Sequence, residues 1–394
     1  MFDCIVIGKG LIGSSAAKYL KGNLEQVAII GPDEPLHDLE KAQVFASHYD
    51  QSRVQRIIGV DPVWTQLNKQ SAAHYPKLES DSGISFHTSE GCLYVSPYGR
   101  DEYLKNVPNQ ADQFRLPYQF FENESILYKT FPDYTFPIGS FGMLEPSPAG
   151  HINPLKLIQA QLKVFQKNEG KIYNDTVVEL HQHNNSFSLN TLTGQTYSAK
   201  KVLVTAGAFS NFFGLLPQPL DLELESETVL MAEVSENEAK RLSQLPSLLY
   251  ELDTEAVEGI YLVQPVQYPD GRYYLKMGCN LSADLPFQNL EQIQEWFRNG
   301  DTTTNEKVLR KALNTLMPDL NVIGYGTKKC IVSRTQHGQC YIGSTAKKNL
   351  YVAAGGNGYS AMCSDELGRI ASHYTVHENI PSDYPSASFQ PVVV

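Results

Sequence analysis

Three closely spaced glycines near the start of the chain have the pattern of a phosphate-binding turn. Gly8, Gly10 and Gly13 follow the apolar run 2–7 and precede small and apolar residues at helical spacing. The first two glycines let a backbone approach a pyrophosphate, and the third lets a helix pack closely on a strand. A second apolar run, 27–30, follows at the distance of a βαβ unit. The pattern predicts a dinucleotide site, and its alternative is a glycine-rich turn that only packs.

Charged residues after the second apolar run offer further chemistry. In dinucleotide-binding folds an acidic residue usually stands after the second strand and holds a ribose hydroxyl. Gly31 occupies that position here, with Asp33 or Glu34 as nearby substitutes, which argues against NAD bound in the ordinary way. Arg53 and Arg56 stand three residues apart. In a helix they would lie on neighbouring faces and converge on an anion, or they would form a solvated face.

Length and composition restrict the class of protein. A chain of 394 residues is expected to form about two domains. No apolar stretch approaches the roughly 18 to 20 residues of a membrane span, and the first apolar run leads directly into the glycine turn, so we expect a cytoplasmic protein. A net charge of −11 disfavours a nucleic-acid partner. Six cysteines without C-x-x-C spacing indicate free thiols and no metal site.

The dinucleotide-like pattern occurs three times along the chain and alternates with two blocks of another kind. Apolar runs that end in small residues recur at 200–210 and 350–372, where the second is followed by a helical pattern. The intervening blocks, about 85–145 and 220–325, are aromatic and rich in turns, which predicts sheet and loops. Asp270–Gly271 predicts a tight hairpin turn in the second block, and a helical insert follows it.

This alternation resembles the flavin-dependent amine and amino-acid oxidoreductases, the group of D-amino-acid oxidase, glycine oxidase and, with the most similar spacing, monomeric sarcosine oxidase. The resemblance covers essentially the whole chain and rests on GKGLIGSSAA, SHYDQSRVQR, VLVTAGAFS, YYLKMG, and KKCIVSRT with NLYVAAGGNGYS. It implies an α/β (α+β) fold. A Rossmann-like FAD-binding domain would comprise 1–85, 147–218 and 326–394, and a substrate domain with an antiparallel sheet would comprise 86–146 and 219–325.

The resemblance also implies which residues hold FAD. They are Gly8, Gly10, Ile12, Gly13, Asp33, Arg53, Val178, Cys330, Gly355, Gly356, Gly358 and Met362. Within this set, Val178 would meet the adenine through its backbone, and Arg53 would lie near the flavin ring. The loop 355–358 would open a helix whose positive end faces the flavin pyrimidine.

Three catalytic residues follow from the same resemblance. Arg56 would bind a substrate carboxylate, and His48 would lie near the flavin ring, where His48 and Tyr261 are the side chains to examine for proton transfer. Lys276 would activate O₂, because a fixed ammonium stabilises superoxide as it forms; without the resemblance it is a solvent-facing strand lysine. Cys330 falls where that group attaches FAD through a cysteinyl thioether, with a small buried hydrophobe as its alternative.

Some residues that face the substrate in sarcosine oxidase are replaced in this sequence. Met362 replaces a lysine that serves there as a second carboxylate-binding cation. Leu262, Asn280 and Val332 replace tyrosines and a histidine that face its substrate. Arg56 alone can still bind a carboxylate through its planar fork. We therefore expect a larger or less charged amine than sarcosine.

The predicted activity is FAD-dependent oxidation of the C–N bond of an amine or amino acid, with O₂ as acceptor and imine and peroxide as products. The expected partners are a small-molecule amine or amino acid and O₂. A flavin dehydrogenase that uses another electron acceptor is the first alternative. The others are an NAD-dependent dehydrogenase, which Gly31 opposes, and a non-catalytic flavin-binding protein.

Overall fold

Two large sheets with helices packed against them make up most of the fold. The computed structural model describes residues 1–36, 39–47, 49–97 and 102–394. The helices are α1 (Leu11–Lys21), α2 (Pro62–Ser82), α3 (Glu102–Phe114), α4 (Glu124–Thr130), α5 (Pro154–Lys167), α6 (Glu236–Leu242), α7 (Leu290–Asn299), α8 (Thr303–Leu316) and α9 (Ser364–His377). The strands are β1 (Phe2–Ile7), β2 (Val27–Ile30), β3 (Arg53–Gln55), β4 (Cys92–Ser96), β5 (Gln119–Phe121), β6 (Phe141–Glu145), β7 (Gly150–Ile152), β8 (Lys171–Tyr173), β9 (Val177–His183), β10 (Ser186–Thr191), β11 (Thr196–Val204), β12 (Leu222–Val234), β13 (Ser247–Asp253), β14 (Val257–Gln267), β15 (Tyr273–Leu281), β16 (Pro286–Phe287), β17 (Val322–Thr335), β18 (Tyr341–Ser344) and β19 (Leu350–Ala354).

The first sheet has the strand order of a doubly wound dinucleotide fold. Its parallel centre runs β8-β2-β1-β11-β19, so the order reverses at β1. β18 adds an antiparallel edge, and the β9–β10 hairpin attaches to β11, which completes eight strands in the described part of the chain. Ligands of such sheets bind beyond the carboxyl ends of the strands, at the point where the order reverses. The fold therefore directs a ligand to the ends of β1 and β11.

Small side chains allow the helices to lie close to this sheet and to one another. β1 and β2 are apolar runs buried along most of their length, as expected of strands covered on both faces. α1 packs against α5 and α9. Where α1 meets α9, a Cβ on Gly368 would overlap Ser15 and the backbone of Ala16, so only glycine allows this approach. α1 is thereby held with its first turn at the end of β1.

A buried carboxylate ties four helices together behind the first sheet. Asp365, in the first turn of α9, is 0% exposed and accepts hydrogen bonds from Lys18 (2.6 Å) and Tyr19 (2.8 Å) of α1. Gln161 of α5 donates to it at 2.7 Å, and His74 Nδ1 of α2 lies 3.1 Å away. Because a buried charge is tolerated only when paired and hydrogen-bonded, these contacts restrict how the four helices can pack.

The second sheet is mainly antiparallel and has two chemically different faces. Its order is β16-β12-β15-β14-β13-β4-β6-β5, with β17 paired to β12, which gives nine strands in the described part of the chain. Leu275 and Met277 of β15 pack in a core that includes α8 residues Leu309 and Leu313. Since neighbouring strand residues point to opposite faces, Lys276 points away from that core. It contacts residues near β3 instead.

The structure confirms the α/β class and most elements predicted from the apolar runs. β1 and β2 have the predicted bounds. Asp270–Gly271 lies in the turn between β14 and β15, and Gly271 has a φ of +83°, where glycine is favoured. The helical reading of 53–56 is wrong, because β3 pairs with β7 there. The block 85–145 also contains two helices, α3 and α4, beside its strands.

Removing the Asp365 charge is expected to destabilise the protein. Asp365→Asn leaves Lys18 without its buried partner, so the free energy of unfolding should fall by about 3 kcal/mol. Asp383→Asn is the matched control, because Asp383 is 45% exposed and lies 3.5 Å from Arg369, where a loss of no more than about 1 kcal/mol is expected. Urea unfolding of the FAD-loaded protein measures both values. Equal losses in the two variants would contradict the role assigned to Asp365.

Candidate functional site

A large cleft opens beyond the carboxyl ends of β1, β11 and β19. It encloses about 1120 Å³ of empty space, part of it open to solvent. Among the predicted cofactor residues, its wall includes Gly8, Gly10, Ile12, Gly355 and Gly356. The cleft therefore joins the first and last glycine-rich segments of the chain.

The glycine turn is shaped by close backbone contact with Thr205. Gly8 has a φ of +107°, and a Cβ there would overlap the Thr205 carbonyl group. A Cβ on Gly13 would overlap the Gly8 carbonyl oxygen and Thr205 Oγ1. The Thr205 hydroxyl donates to the carbonyl oxygens of Ile7 and Gly8, at 2.9 Å each. Gly13 thus serves packing and does not line the cleft.

The first turn of α1 supplies the donors that an anion needs. Gly10 is the N-cap of α1, and no side chain caps the amide groups of the first helical turn. Uncapped amides at a helix N-terminus, together with the helix dipole, form a phosphate site. Gly10, Leu11 and Ile12 line the cleft at this point. The residues present therefore fit the pyrophosphate of a dinucleotide.

The turn after β2 differs from that of ordinary NAD sites for a steric reason. A Cβ on Gly31 would overlap the backbone nitrogen of Lys9, so the usual acidic residue has no room there. Asp33 is bound by Lys9 Nζ and Asn174 Nδ2 and is not part of the cleft wall. Burial raises the pKa of Glu34, which does not line the cleft either. A ribose contact through Asp33 stays a prediction.

The segment before β9 brings residues to the cleft that sequence reasoning missed. Asp175, Thr176 and Val177 line it, whereas Val178 is not among the lining residues. Asp175 accepts hydrogen bonds from the Thr176 amide (2.7 Å) and the Thr193 hydroxyl. The adenine contact proposed for Val178 stays a prediction. The signal for this segment was the Asn-Asp pair that follows the apolar strand β8.

The last glycine loop reaches the cleft but is separated from the helix that follows. Gly355 and Gly356 line the cleft, whereas Gly358 does not. Turns occupy the segment up to Cys363, and α9 begins at Ser364. Asp365 and Glu366 are buried in the first turn of α9, where they already face its positive end. The role predicted for that end beside a flavin stays a prediction.

A buried ion pair joins the second sheet to the segment before β3. Lys276 is 0% exposed, forms an ion pair with Asp50, and donates to the carbonyl oxygen of Ser52 at 2.9 Å. The Tyr268 hydroxyl donates to the other Asp50 oxygen at 2.6 Å. Burial would raise the pKa of Asp50, but Lys276 and then Arg53 outweigh it and hold the pKa well below its usual range. Lys276 is therefore not the solvent-facing lysine of the alternative reading.

Cys330 and Arg53 lie together next to the cleft. Arg53 donates to the carbonyl oxygen of Ser47 at 2.7 Å, and its guanidinium lies 3.6 Å from Cys330 Sγ. Ser47 and Ile331, the neighbour of Cys330, line the cleft. Burial raises the pKa of the Cys330 thiol, while the Arg53 guanidinium opposes that rise. Cys330 is thus a buried thiol one residue from the cleft wall.

Tyr261 reaches across the second sheet to a carboxylate. Its ring lies over Gly278, where a Cβ would overlap the ring, and its hydroxyl donates to Glu227. Glu227 stands opposite Cys330 in the β12–β17 register. The Lys276 ammonium lies 5.5 Å from the centre of the Tyr261 ring. Tyr261 therefore borders the same charged cluster as Cys330 and Lys276.

Arg56 occupies a different environment from Arg53. It is 3% exposed, and its guanidinium carbon lies 5.8 Å from the Tyr94 ring centre and 5.6 Å from that of Tyr359. Such rings attract a guanidinium and restrict its orientation. The Tyr94 hydroxyl donates to Glu145 at 2.7 Å. The solvated face is therefore wrong for Arg56, and the convergence of the two arginines on an anion stays a prediction.

The remaining predicted residues are dispersed. Met362 is buried, and its carbonyl oxygen accepts a 2.6 Å hydrogen bond from Tyr75. Leu262 packs in the core beneath the second sheet, on the face opposite Lys276. Asn280 is exposed, and Val332 is partly buried on β17. His48 lies outside the described residues.

The residues that the structure describes contain no group of His, Cys, Asp and Glu side chains that could hold a metal ion. No helix among them is long and apolar enough to cross a membrane.

The molecule combines a doubly wound sheet that ends in a glycine-lined cleft with an antiparallel sheet whose Lys276 pairs with Asp50 of the segment before β3. These features define a dinucleotide-binding protein. The sequence pattern described as FAD dependent oxidoreductase (DAO) matches residues 3–374. The chain belongs to this FAD-dependent oxidoreductase family. FAD is therefore the dinucleotide for which the cleft is built.

Among curated proteins, the chain is similar to N-methyl-L-tryptophan oxidase of Yersinia pestis and Yersinia pseudotuberculosis, with 28% identity over 210 residues. That alignment covers 53% of this chain and 54% of the relative, so the chain spans about half the length of the curated relatives it matches.

Solved structures show the same fold over nearly the full length of the chain. NikD, described as an unusual amino acid oxidase essential for nikkomycin biosynthesis, has a TM-score of 0.79 at 16% identity. The alignment covers 100% of this chain and 98% of the NikD chain. Glycine oxidase from Geobacillus kaustophilus has a TM-score of 0.76 at 18% identity and covers 99% and 98%. L-proline dehydrogenase from P. horikoshii has a TM-score of 0.74 at 15% identity and covers 97% and 94%. At these identities the likeness is one of fold.

A side chain at position 31 should weaken FAD binding. Gly31→Ala places a Cβ against the Lys9 backbone and must shift the glycine turn, so we expect the dissociation constant of FAD to rise at least about 10-fold, equivalent to about 1.4 kcal/mol. Gly326→Ala is the matched control, because a Cβ there meets open space. Flavin fluorescence during titration of the deflavinated proteins measures both constants, and each protein also carries Cys330→Ala so that FAD binds only reversibly. Unchanged binding in Gly31→Ala would show that the turn tolerates a side chain.

Proposed function

We propose that this protein is an FAD-dependent oxidase of the C–N bond of an amine or amino acid. The amine loses a hydride equivalent and a proton to give an imine, which water hydrolyses, and O₂ takes up two electrons and two protons to give hydrogen peroxide. The observation that carries the proposal is the Lys276 ammonium, buried in the charged cluster next to the cleft. The similarity to N-methyl-L-tryptophan oxidase supports it.

The protein groups that would hold FAD are those of the cleft. The uncapped first turn of α1 would bind the pyrophosphate, with Gly8 and Gly10 allowing its close approach. FAD supplies the redox chemistry when bound, as acceptor of the hydride equivalent. The surrounding protein has to hold the amine, exclude water and compensate developing charge. Lys276, which is buried, and Arg53, which is partly exposed, are cations near the cleft that suit the last task.

We also propose that Cys330 carries FAD as a thioether. Its sulfur lies 3.6 Å from the Ser47 carbonyl oxygen, and Ser47 lines the cleft. Arg53, 3.6 Å away, would stabilise the thiolate that such a bond requires. The C–S bond would replace a C–H bond of the flavin, so that the thiol and that carbon would each lose one proton, and the two electrons would pass through the flavin to O₂.

Acid precipitation tests the thioether directly. For the wild-type protein we expect the flavin absorbance to stay with the precipitate, and for Cys330→Ala we expect it in the supernatant. Cys340→Ala is the matched control, because Cys340 is also buried but does not contact Arg53 or Ser47. Release of flavin from the wild-type protein would contradict the thioether and leave the proposed oxidase activity untouched.

Arg56 would select substrates that carry a carboxylate. Its planar guanidinium can bind a carboxylate through two parallel hydrogen bonds, and the Tyr94 and Tyr359 rings restrict its orientation. Met362 adds no charge, so a single cation would hold the acid group. An N-alkylated amino acid is the substrate class that we propose.

Loss of the Arg56 charge should act mainly on carboxylated substrates. For Arg56→Met we expect kcat/KM for an N-methyl amino acid to fall about 10- to 100-fold, the value of a charged hydrogen bond. The same amine without its carboxylate should change much less. Arg310→Met, at an exposed arginine of α8, is the control for general effects. A peroxide-coupled assay measures all rates, and equal losses for both substrates would exclude carboxylate binding by Arg56.

A flavin dehydrogenase of the same fold is the second candidate. It is favoured by the contact of Lys276 with Asp50, because a paired cation stabilises a new anion less than a free one. Stopped-flow mixing of the reduced protein with aerated buffer separates the candidates. Reoxidation no faster than that of free flavin would favour the dehydrogenase.

The proposal includes the division of the chain and its location. The FAD-binding domain would contain the eight-stranded sheet and the substrate domain the nine-stranded sheet. The boundary predicted at residue 326 lies within β17 (Val322–Thr335). Because β17 pairs with β12 of the nine-stranded sheet, we place the boundary after β17. A cytoplasmic location is supported by six cysteines that are all described and all free.

A further inference from the structure

Lys276 depends on a carboxylate that belongs to neither sheet. Asp50 lies in the segment before β3 and is 2% exposed. One of its oxygens contacts the Lys276 ammonium, and the other accepts hydrogen bonds from the Tyr268 hydroxyl (2.6 Å) and the Gln51 amide (2.8 Å). The carboxylate is thus held on one side by the second sheet and on the other by its own backbone.

Among the described residues, the charged and titratable groups around Lys276 lie on several elements. They are Asp50 and Arg53 from the segment leading into β3, Tyr261 of β14, Tyr268 after β14, Glu227 of β12 and Cys330 of β17. Arg53 opposes a positive charge on Lys276, whereas Asp50 and Glu227 favour it. Among the described residues, Asp50 is the carboxylate in ion-pair contact with Lys276.

Burial alone would remove the charge of this lysine. An ammonium taken out of water loses its hydration, and a buried lysine without a counter-ion gives up its proton. Burial and Arg53 lower the pKa of Lys276, and Asp50 opposes that fall. The Ser52 carbonyl oxygen accepts a hydrogen bond from the ammonium at 2.9 Å but carries no net charge.

We propose that Asp50, itself fixed by Tyr268, is a positioning residue that keeps Lys276 protonated and points its ammonium from the second sheet towards the segment beside the cleft. The role of that ammonium towards O₂ rests on the proposed function. The pairing itself does not, because it involves protein groups alone. A residue outside both sheets therefore sets the charge on which the proposed oxidase chemistry depends.

The first test uses stability of the FAD-loaded protein and needs no activity. In Asp50→Asn the pKa of Lys276 in the folded protein falls further below its unfolded value of about 10.4. The folded state then binds fewer protons than the unfolded state, so stability rises with pH up to about that value. We expect the Tm deficit of Asp50→Asn relative to wild type to shrink between pH 7 and pH 10.

The double variant Asp50→Asn with Lys276→Met is the matched control, since it contains no buried lysine to titrate. Its Tm difference from the wild-type protein should not follow the trend of the single variant. A deficit of Asp50→Asn that stays constant with pH would overturn the proposal. If Asp50→Asn does not fold, Tyr268→Phe, which removes one hydrogen bond to Asp50, replaces it; a smaller shift of the same sign supports the proposal, and no shift overturns it.

The second test follows reoxidation of the reduced protein by O₂ as a function of pH. As the pH rises, the reoxidation rate of the wild-type protein should drop when Lys276 loses its proton. In Asp50→Asn this drop should occur at a pH at least one unit lower, and in Lys276→Met it should be absent. Asp50→Glu, which restores the charge, should move the drop back towards wild type. Identical profiles for wild type and Asp50→Asn would overturn the proposal. Slow reoxidation of the wild-type protein at all pH values would instead refute the proposed oxidase activity, and the Tm test would still decide the role of Asp50.

Discussion

The close contact between the first glycine turn and Thr205 is the constraint on which the cleft depends. Thr205 follows β11 and bonds to two carbonyl oxygens at the end of β1, so the neighbouring strands end at the same level. Gly8 and Gly13 have no side chains to separate them from Thr205. α1 can then start at the end of β1 with its amides directed into the cleft. A dinucleotide site thus results from backbone packing before any side chain contributes.

The second layer of organisation is polar and lies between the sheets. Apolar packing alone would let two layers slide, because it has little directional preference. Lys276 to Asp50, Tyr268 to Asp50 and Arg53 to Cys330 are directional contacts of buried or half-buried groups. Each is satisfied in one relative position of the second sheet and the segment before β3. The charged cluster therefore aligns the layers as well as supplying the chemistry.

Sequence reasoning succeeded where a local pattern determines the structure. The glycine turn, β1, β2 and the hairpin at Asp270–Gly271 depend on neighbours in the chain, and their spacing is visible in the sequence. It was wrong about 53–56, because pairing with β7, almost a hundred residues away, overrides the helical spacing of two arginines. The Tyr94 and Tyr359 rings around Arg56 and the carboxylate beside Lys276 are also distant in sequence. No local signal identifies such partners.

The strand conformation of β3 has a consequence for how the chain can vary. Side chains alternate along a strand, and a shift of one residue moves each of them to the other face. Arg53 contacts Cys330, whereas Arg56, just beyond the strand, contacts Tyr94 and Tyr359. An insertion or deletion between them would turn one guanidinium away from its present neighbours although both arginines were kept. The site therefore requires the spacing of these two arginines as well as their identity. A relative that kept both residues but altered their separation would not keep the same chemistry.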